Sequence, residues 1–125
     1  MPSQVFPPTV HDLIAALGRR VGEARGIRAA ELAAQLGCSE RRLRTLISEA
    51  IEEHGTAICG HPSTGYYIAA SAEELLRTIA FHRARALHEL RKVSRLANIP
   101  LPDLLGQLRL ETHGDVHRTH RAIGP

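Results

Sequence analysis

The chain has 125 residues, of which 43% are hydrophobic and 23% are charged. This composition fits one small globular domain and excludes a largely disordered chain. Sixteen basic and 13 acidic residues give a formal charge of +3, which permits a polyanionic partner, and the 3% of aromatic residues exclude a base-stacking platform for single strands.

Arginine dominates the basic residues, because 15 of the 16 are Arg and only Lys92 is Lys. A planar guanidinium donates two parallel hydrogen bonds to phosphate or to guanine, so this usage suits a nucleic-acid partner. A GC-rich coding bias produces the same excess of arginine. Composition alone leaves both explanations open.

The cysteine and hydropathy patterns bear on location. Cys38 and Cys59 are the two cysteines, and they form no CxxC pair, which favours a reduced compartment over a disulfide framework. No apolar run reaches the roughly 18 residues of a membrane span, and the N-terminus lacks a charged-then-apolar leader. We therefore expect a cytoplasmic protein without a membrane partner.

The first helix is predicted after an extended N-terminal arm over residues 1–8. Thr9 is a candidate N-cap, and Asp12 can bond back to it in a capping box. The apolar spacing that follows predicts a helix from Val10 that Gly18 can end. Ile27 is expected to form a single-residue β-bridge or a short strand.

Two further helices are predicted with a short turn between them. The first covers residues 29–36 and precedes Gly37, which adopts a left-handed C-cap without steric cost. Ser39 caps the second, which runs to about residue 53. Its predicted buried stripe consists of Leu43, Leu46, Ile47, Ala50 and Ile51.

The rest of the chain is predicted to be a hairpin and a long helix. Short β-like runs over residues 56–59 and 66–69 predict the hairpin, and Ser71 with Glu74 forms a capping-box pattern that opens a helix to about residue 97. The fold class is thus mainly α with a small β-hairpin wing. Its expected parts are a domain over 1–70, the long C-terminal helix over 71–97, a leucine-rich segment over 98–110 with one or two helical turns after Pro102, and a disordered tail over 111–125.

Helices 29–36 and 40–53, joined by a three-residue turn containing Gly37, have the spacing of a DNA-binding helix-turn-helix. Because a hairpin follows, residues 10–69 resemble the winged helix-turn-helix superfamily. More loosely, they resemble small winged-helix proteins of bacterial phages and prophages. The resemblance implies that the second helix enters the major groove and that the hairpin touches adjacent backbone or minor groove. A purely structural helical hairpin is the alternative.

The second helix of this motif supplies most of the predicted DNA contacts. On a helical wheel, Arg41, Thr45 and Ser48 point away from the apolar stripe and are, by resemblance, candidates for base edges. The helix dipole disfavours each cation near a helix N-terminus by about 0.3–1 kcal/mol, and a bound phosphate would compensate for this cost. The alternative is that the arginines near the N-terminus of this helix are simply solvated. By the same resemblance, Arg42 and Arg44 are candidates for phosphate contacts, and Ser39 is a further candidate for DNA binding.

The hairpin loop adds three polar candidates for phosphate contacts: His61, Ser63 and Thr64. It contains no Arg or Lys. DNA-binding wings of the superfamily often carry such cations, so the wing contact is the weaker part of the resemblance. His61 is expected to contribute mainly when protonated.

The long helix has an apolar stripe and a basic face. The stripe is predicted to contain Leu75, Leu76, Ile79, Ala86, Leu87, Leu90, Val93 and Ala97, and the opposite face contains Arg77, Arg91, Lys92 and Arg95. We expect a homodimer with Leu90 and Val93 at its seam, or alternatively a helix folded back on its own domain. The leucine-rich segment either packs on this helix or docks on a protein partner, through Leu104, Leu105 and Leu108.

Catalytic signatures are missing from the sequence, which has no P-loop, dinucleotide-binding glycine pattern, HExxH or nucleophile elbow. We expect no enzyme, catalytic residue, metal or cofactor. His113, His117 and His120 have a metal-compatible spacing, but a solvated tail is the expected explanation.

The sequence therefore predicts a sequence-specific or structure-specific duplex-DNA-binding protein. It would act as a transcription regulator or an accessory replication factor. The alternative is a protein-binding winged-helix module that recruits or inhibits another protein.

Overall fold

The computed structural model describes residues 6–111. The elements, in chain order, are α1 (Val10–Leu17), a 3-10 turn (Glu23–Arg25), α2 (Ala29–Leu36), α3 (Glu40–His54), β1 (Ile58–His61), β2 (Gly65–Ile68), α4 (Ala72–Ala97) and α5 (residues 101–111). They confirm the mainly α fold with a small β-hairpin and a long C-terminal helix. The predictions for residues 1–5 and 112–125, which include most of the arm and nearly all of the tail, lie outside the described residues.

The predicted helix caps are present in the first half of the chain. The Thr9 side chain accepts a hydrogen bond from the Asp12 N–H, and the Asp12 carboxylate accepts one from the Thr9 N–H at 2.8 Å. Gly37 ends α2 in the left-handed region with φ 73°, and Ser39 Oγ accepts from the Arg42 N–H at 3.0 Å. These caps fix the three-residue turn between α2 and α3.

Helices α1, α2 and α3 share one apolar core with Ile58 of β1. The predicted stripe of α3 is buried at four of its five positions. Ile51 was predicted wrongly, because it is 38% exposed. At 100° per residue it lies about 90° from the centre of the stripe, where the neighbouring helices no longer cover it. The core residues are Val10, Leu13, Leu17, Ile27, Leu32, Ala33, Leu36, Leu43, Leu46, Ile47, Ala50 and Ile58.

Strands β1 and β2 pair antiparallel, with Cys59 opposite Tyr67. On the other side of β2, Ile27 forms the predicted single-residue bridge, and its backbone exchanges two hydrogen bonds with Tyr66 at 2.8 and 2.9 Å. Gly65 makes this approach possible. Its φ is 83°, and a Cβ there would lie 2.2 Å from the Ile27 carbonyl oxygen. The bridge ties the segment before α2 to the hairpin.

The first turns of α4 bury a different face from the one predicted. Thr78 is buried and Leu75 is half-buried, whereas Leu76 is 63% exposed and Ile79 is also exposed. The helix contacts the hairpin with its Glu74 side, where the Cys59 thiol lies 3.8 Å from the Glu74 carbonyl oxygen. With this side of α4 against the hairpin, Leu76 and Ile79 of the predicted apolar stripe face solvent.

Glu74 links α4 to two other segments through its carboxylate. One oxygen accepts from the Ala70 N–H at 2.9 Å and the other accepts from the Glu23 N–H at 3.0 Å. Arg77 in turn lies 3.5 Å from the Glu23 carboxylate. The Ala70 and Glu23 N–H groups, with a smaller contribution from Arg77, hold the pKa of Glu74 below its ordinary value. The predicted capping box is therefore half-formed, since Ser71 Oγ accepts from the Glu74 N–H but the Glu74 carboxylate bonds outside the box.

The chain divides into two compact units, Met1–Phe81 and His82–Pro125. In the described part of the second, α4 ends at a left-handed Asn98 with φ 57°, and Ser94 Oγ donates to the Ile99 carbonyl oxygen. Helix α5 follows and is longer than the one or two turns predicted. Within residues 6–111, no helix has both the length and the apolar character that crossing a membrane requires.

Candidate nucleic-acid interface

The polar face of α3 lies opposite the buried stripe, as predicted. Arg41, Thr45 and Ser48 are all exposed. Thr45 Oγ1 donates to the Arg41 carbonyl oxygen at 3.3 Å, so its hydroxyl proton is used within the helix. Its methyl group and oxygen lone pairs remain free, which suits a thymine methyl or a base amino group. Within residues 6–111, no hydrogen bond or ion pair engages the side-chain donors of Arg41 or Ser48.

The N-terminal turns of α3 concentrate positive charge. Arg41, Arg42 and Arg44 are exposed, and within residues 6–111 no ion pair engages any of them. Cations at this end of a helix meet the positive end of its dipole. An anion bound here would gain both from the arginines and from the helix N-terminus.

Ser39 caps helix α3, independently of any role in binding DNA. Its Oγ accepts the hydrogen bond that caps α3, and the residue is exposed. The hydroxyl proton remains available to a phosphate oxygen. A Ser39 substitution would therefore weaken the helix end as well as any contact to DNA.

The loop between β1 and β2 presents His61 in a defined orientation. Its Nδ1 accepts from the Ser63 N–H at 3.1 Å, and Ser63 Oγ lies 2.7 Å from the same nitrogen. A neutral ring that accepts a hydrogen bond at Nδ1 carries its proton on Nε2. The expected contact between His61 and a phosphate stays a prediction.

Thr64 does not fit the phosphate contact predicted for it. Its Oγ1 is buried and has no hydrogen-bond partner in the part of the chain that the structure describes. The turn is pressed against Gly26, where an added Cβ would lie 2.2 Å from the Thr64 carbonyl oxygen. The side chain therefore points inward, and His61 and Ser63 are the exposed polar groups of the loop.

The structure adds a cation that the sequence analysis missed. Arg28 precedes α2 at its N-cap position and makes no capping bond with its side chain. Its Nη2 instead donates to the Ser63 carbonyl oxygen at 3.1 Å. The hairpin thus acquires an exposed guanidinium from outside its own sequence. The available signal was the predicted bridge at Ile27, which places the next residue beside β2.

The residues predicted to contact a partner differ in their exposure. Val93 is 44% exposed and Leu90 is half-buried on α4. On α5, Leu104 is only 6% exposed and Leu108 is half-buried, whereas Leu105 is exposed. Leu104 is therefore covered within the chain and is not an available anchor, and this burial supports the packing alternative for that residue.

Residues 6–111 contain no cluster of three or more His, Cys, Asp or Glu side chains placed to hold a metal ion. Cys38 and Cys59 are both free thiols. The three histidines of the tail lie outside the described residues.

Comparison with known proteins adds no relative to this description. No protein-family model, no curated protein and no solved structure matches the chain. The site is therefore interpreted from its own geometry and charge.

Proposed function

We propose that the chain is a winged helix-turn-helix protein that binds duplex DNA in the cytoplasm, as a transcription regulator or an accessory replication factor. The observation that carries this proposal is the group of three exposed arginines on the first turns of α3, none of them ion-paired within residues 6–111. They adjoin a polar helix face that the α2–α3 turn leaves uncovered. A purely structural helical hairpin would not require this arrangement.

Helix α3 would lie in the major groove, which is wide enough to admit an α-helix. Arg41, Thr45 and Ser48 would meet base edges, and Arg42 and Arg44 on the flanks would bind phosphates and fix the register. The same N-terminal turn supplies helix-end N–H groups that favour a phosphate.

The hairpin would bind the adjacent backbone through three groups. Arg28 contributes the positive charge that the loop itself lacks, while His61 Nε2 and the Ser63 hydroxyl oxygen are the exposed polar groups beside it. The bond from Arg28 to the Ser63 carbonyl oxygen holds the guanidinium against the loop, so less side-chain freedom is lost on binding.

A symmetric homodimer would double the short sequence that one α3 helix can contact. The exposed apolar residue Val93 supports a seam on α4, together with half-buried Leu90. Sedimentation at tens of micromolar tests this. A wild-type dimer that becomes a monomer on Val93→Glu agrees with it, and a wild-type monomer contradicts it.

The function is tested by selection from a random duplex library, followed by a salt series on the selected and a scrambled duplex. A DNA-binding regulator should yield a discrete motif, bound roughly 10³-fold or more tightly than scrambled sequence, and affinity should fall steeply with salt for both. Failure to select any motif would exclude the sequence-specific form. Tight binding to junctions or ends without a motif would favour the structure-specific form.

A protein-binding module is the second candidate, and one observation favours it. Leu105 is exposed and Leu110 is 75% exposed on α5. A Leu105→Ser/Leu110→Ser variant should keep its melting temperature and its duplex affinity while losing function in cells if α5 recruits a partner. Leu104→Ser is the control, because exposing that buried position should lower the melting temperature.

A further inference from the structure

The second unit carries a charged surface that the proposed function does not use. Arg91, Lys92 and Arg95 lie on one side of α4 within little more than one helical turn, and all three are exposed. We call them the distal basic face. They are separate in the chain from α3 and from the hairpin, and they belong to a different compact unit.

This face has more positive charge than its surroundings neutralise. Between Leu75 and Ala97 the sequence contains six basic residues and a single acid, Glu89. That acid is already engaged, because Lys92 Nζ lies 3.0 Å from its carboxylate. The bond from Lys92 holds the pKa of Glu89 below its ordinary value. No carboxylate within residues 6–111 forms an ion pair with Arg91 or Arg95.

The spacing of the two free arginines suits a polyanion. Residues four apart lie on the same side of a helix, about 6 Å apart along its axis, and like charges at this spacing destabilise the helix. An anion that contacts both guanidiniums would reverse that repulsion. Phosphate oxygens are well matched to the guanidinium, which donates through a planar fork.

The composition of this unit narrows the partner to a nucleic-acid backbone. Residues 82–111 contain no Phe, Tyr or Trp, so the large aromatic platforms on which successive unpaired bases stack are absent from this range. The same lack of aromatic residues disfavours a helix that inserts into a membrane surface. A duplex presents phosphates on its outside and requires neither feature.

We propose that the distal basic face binds the phosphate backbone of duplex DNA without reading its sequence. This contact does not depend on base recognition by α3. It adds a sequence-independent contribution to affinity, in which each neutralised phosphate steepens the dependence of binding on salt.

The test compares full-length wild type, Arg91→Gln/Arg95→Gln and a control, Arg83→Gln/Arg109→Gln. The control removes the same charge from exposed positions of the same unit. Binding to a mixed-sequence duplex is measured by fluorescence anisotropy across a salt series, after melting curves establish that all three proteins are folded. Loss of two phosphate contacts should reduce the slope of log K against log salt by about 1.8 in the Arg91/Arg95 variant and leave the control slope near that of wild type.

Equal slope losses in both variants would show a net-charge effect and overturn the proposal, as would an unchanged slope or a wild type that binds no duplex. If the Arg91→Gln/Arg95→Gln variant lost binding to anionic phospholipid vesicles but kept the wild-type salt slope on DNA, the proposal would be overturned in favour of a membrane partner. Its failure is distinguishable from failure of the proposed function. A slope loss without any selectable motif supports the distal face alone, and a selected motif with no slope loss supports α3 alone.

Discussion

The guanidinium of Arg28 donates to the carbonyl oxygen of Ser63 at 3.1 Å, across 35 residues of chain. The backbone bridge between Ile27 and Tyr66 brings Arg28, the residue after Ile27, close to Ser63 in the hairpin loop. A positive charge that the chain encodes before α2 therefore becomes part of the hairpin. This relationship links the local pairing of a single residue to the charge of the candidate interface.

Arg28→Gln should weaken duplex binding and reduce the salt slope by about 0.9, the value expected for one lost phosphate contact. The backbone amides of residues 61–65 should also exchange faster, because the bond to Ser63 is lost. Arg25→Gln is the matched control, since Arg25 is exposed on the neighbouring 3-10 turn and its side chain has no bond to the loop. Equal effects of the two substitutions would contradict the role of Arg28.

Arg41→Ala should cost specificity at about one base pair, on the order of 1–3 kcal/mol, if Arg41 donates two bonds to guanine. Arg42→Ala should instead weaken selected and scrambled duplexes alike. Competition binding with single-base variants of the selected motif measures the difference. A uniform loss for Arg41→Ala would place it on the backbone rather than on a base.

Glu74→Gln should destabilise the fold, because an amide has one acceptor oxygen for the two N–H groups that the carboxylate binds. The pKa of Glu74 is lowered in the folded state, first by the Ala70 N–H and then by the Glu23 N–H. A carboxyl with a lowered folded pKa contributes stability above its unfolded pKa, and that contribution is lost as the pH falls through the folded value.

The difference in melting temperature between wild type and Glu74→Gln should therefore be largest near neutral pH and should shrink below the ordinary value of 4.5. Glu73→Gln is the control, because Glu73 is the exposed neighbour on α4. A difference that stays constant from pH 7 to pH 3 would contradict the role assigned to the Glu74 carboxylate.

Gly65→Ala should destabilise the protein by about 1–3 kcal/mol, the typical cost of a strained backbone position. The alanine would have to adopt a φ of 83°, and its Cβ would lie 2.2 Å from the Ile27 carbonyl oxygen. Gly106→Ala is the opposite case, since nothing lies within 4 Å and alanine favours a helix interior by about 0.5–1 kcal/mol. Denaturant melts should move in opposite directions, and a neutral Gly65→Ala would contradict the close approach.

The sequence predicts those elements whose determinants are local. Thr9, Gly37 and Ser39 mark helix ends through bonds within three or four residues, and the structure has each cap where it was predicted. The bridge at Ile27 was also predicted, because a lone β-branched residue after the break at Gly26 suits pairing.

The sequence does not predict which groups meet across the chain. Arg28 reaches the hairpin because Ile27 pairs with Tyr66, and the buried Thr64 hydroxyl belongs to a turn whose backbone lies against Gly26. The apolar pattern at the start of α4 could not indicate that Glu74 would lie against the hairpin, or that Thr78 would be buried instead of Leu76. Hydrophobic periodicity gives the width of a stripe, whereas its orientation depends on contacts with distant residues.

The most direct measurement compares duplex affinity across a salt series for wild type and an Arg41→Ala/Arg42→Ala/Arg44→Ala variant, with melting curves to establish that both are folded. The three arginines are exposed, so the melting temperature should change little. If α3 binds DNA, the variant should lose preference for the selected motif. Its salt slope should also fall by roughly 1.8, from the two phosphate contacts assigned to Arg42 and Arg44. Unchanged affinity, motif preference and salt slope in this variant would contradict the central claim.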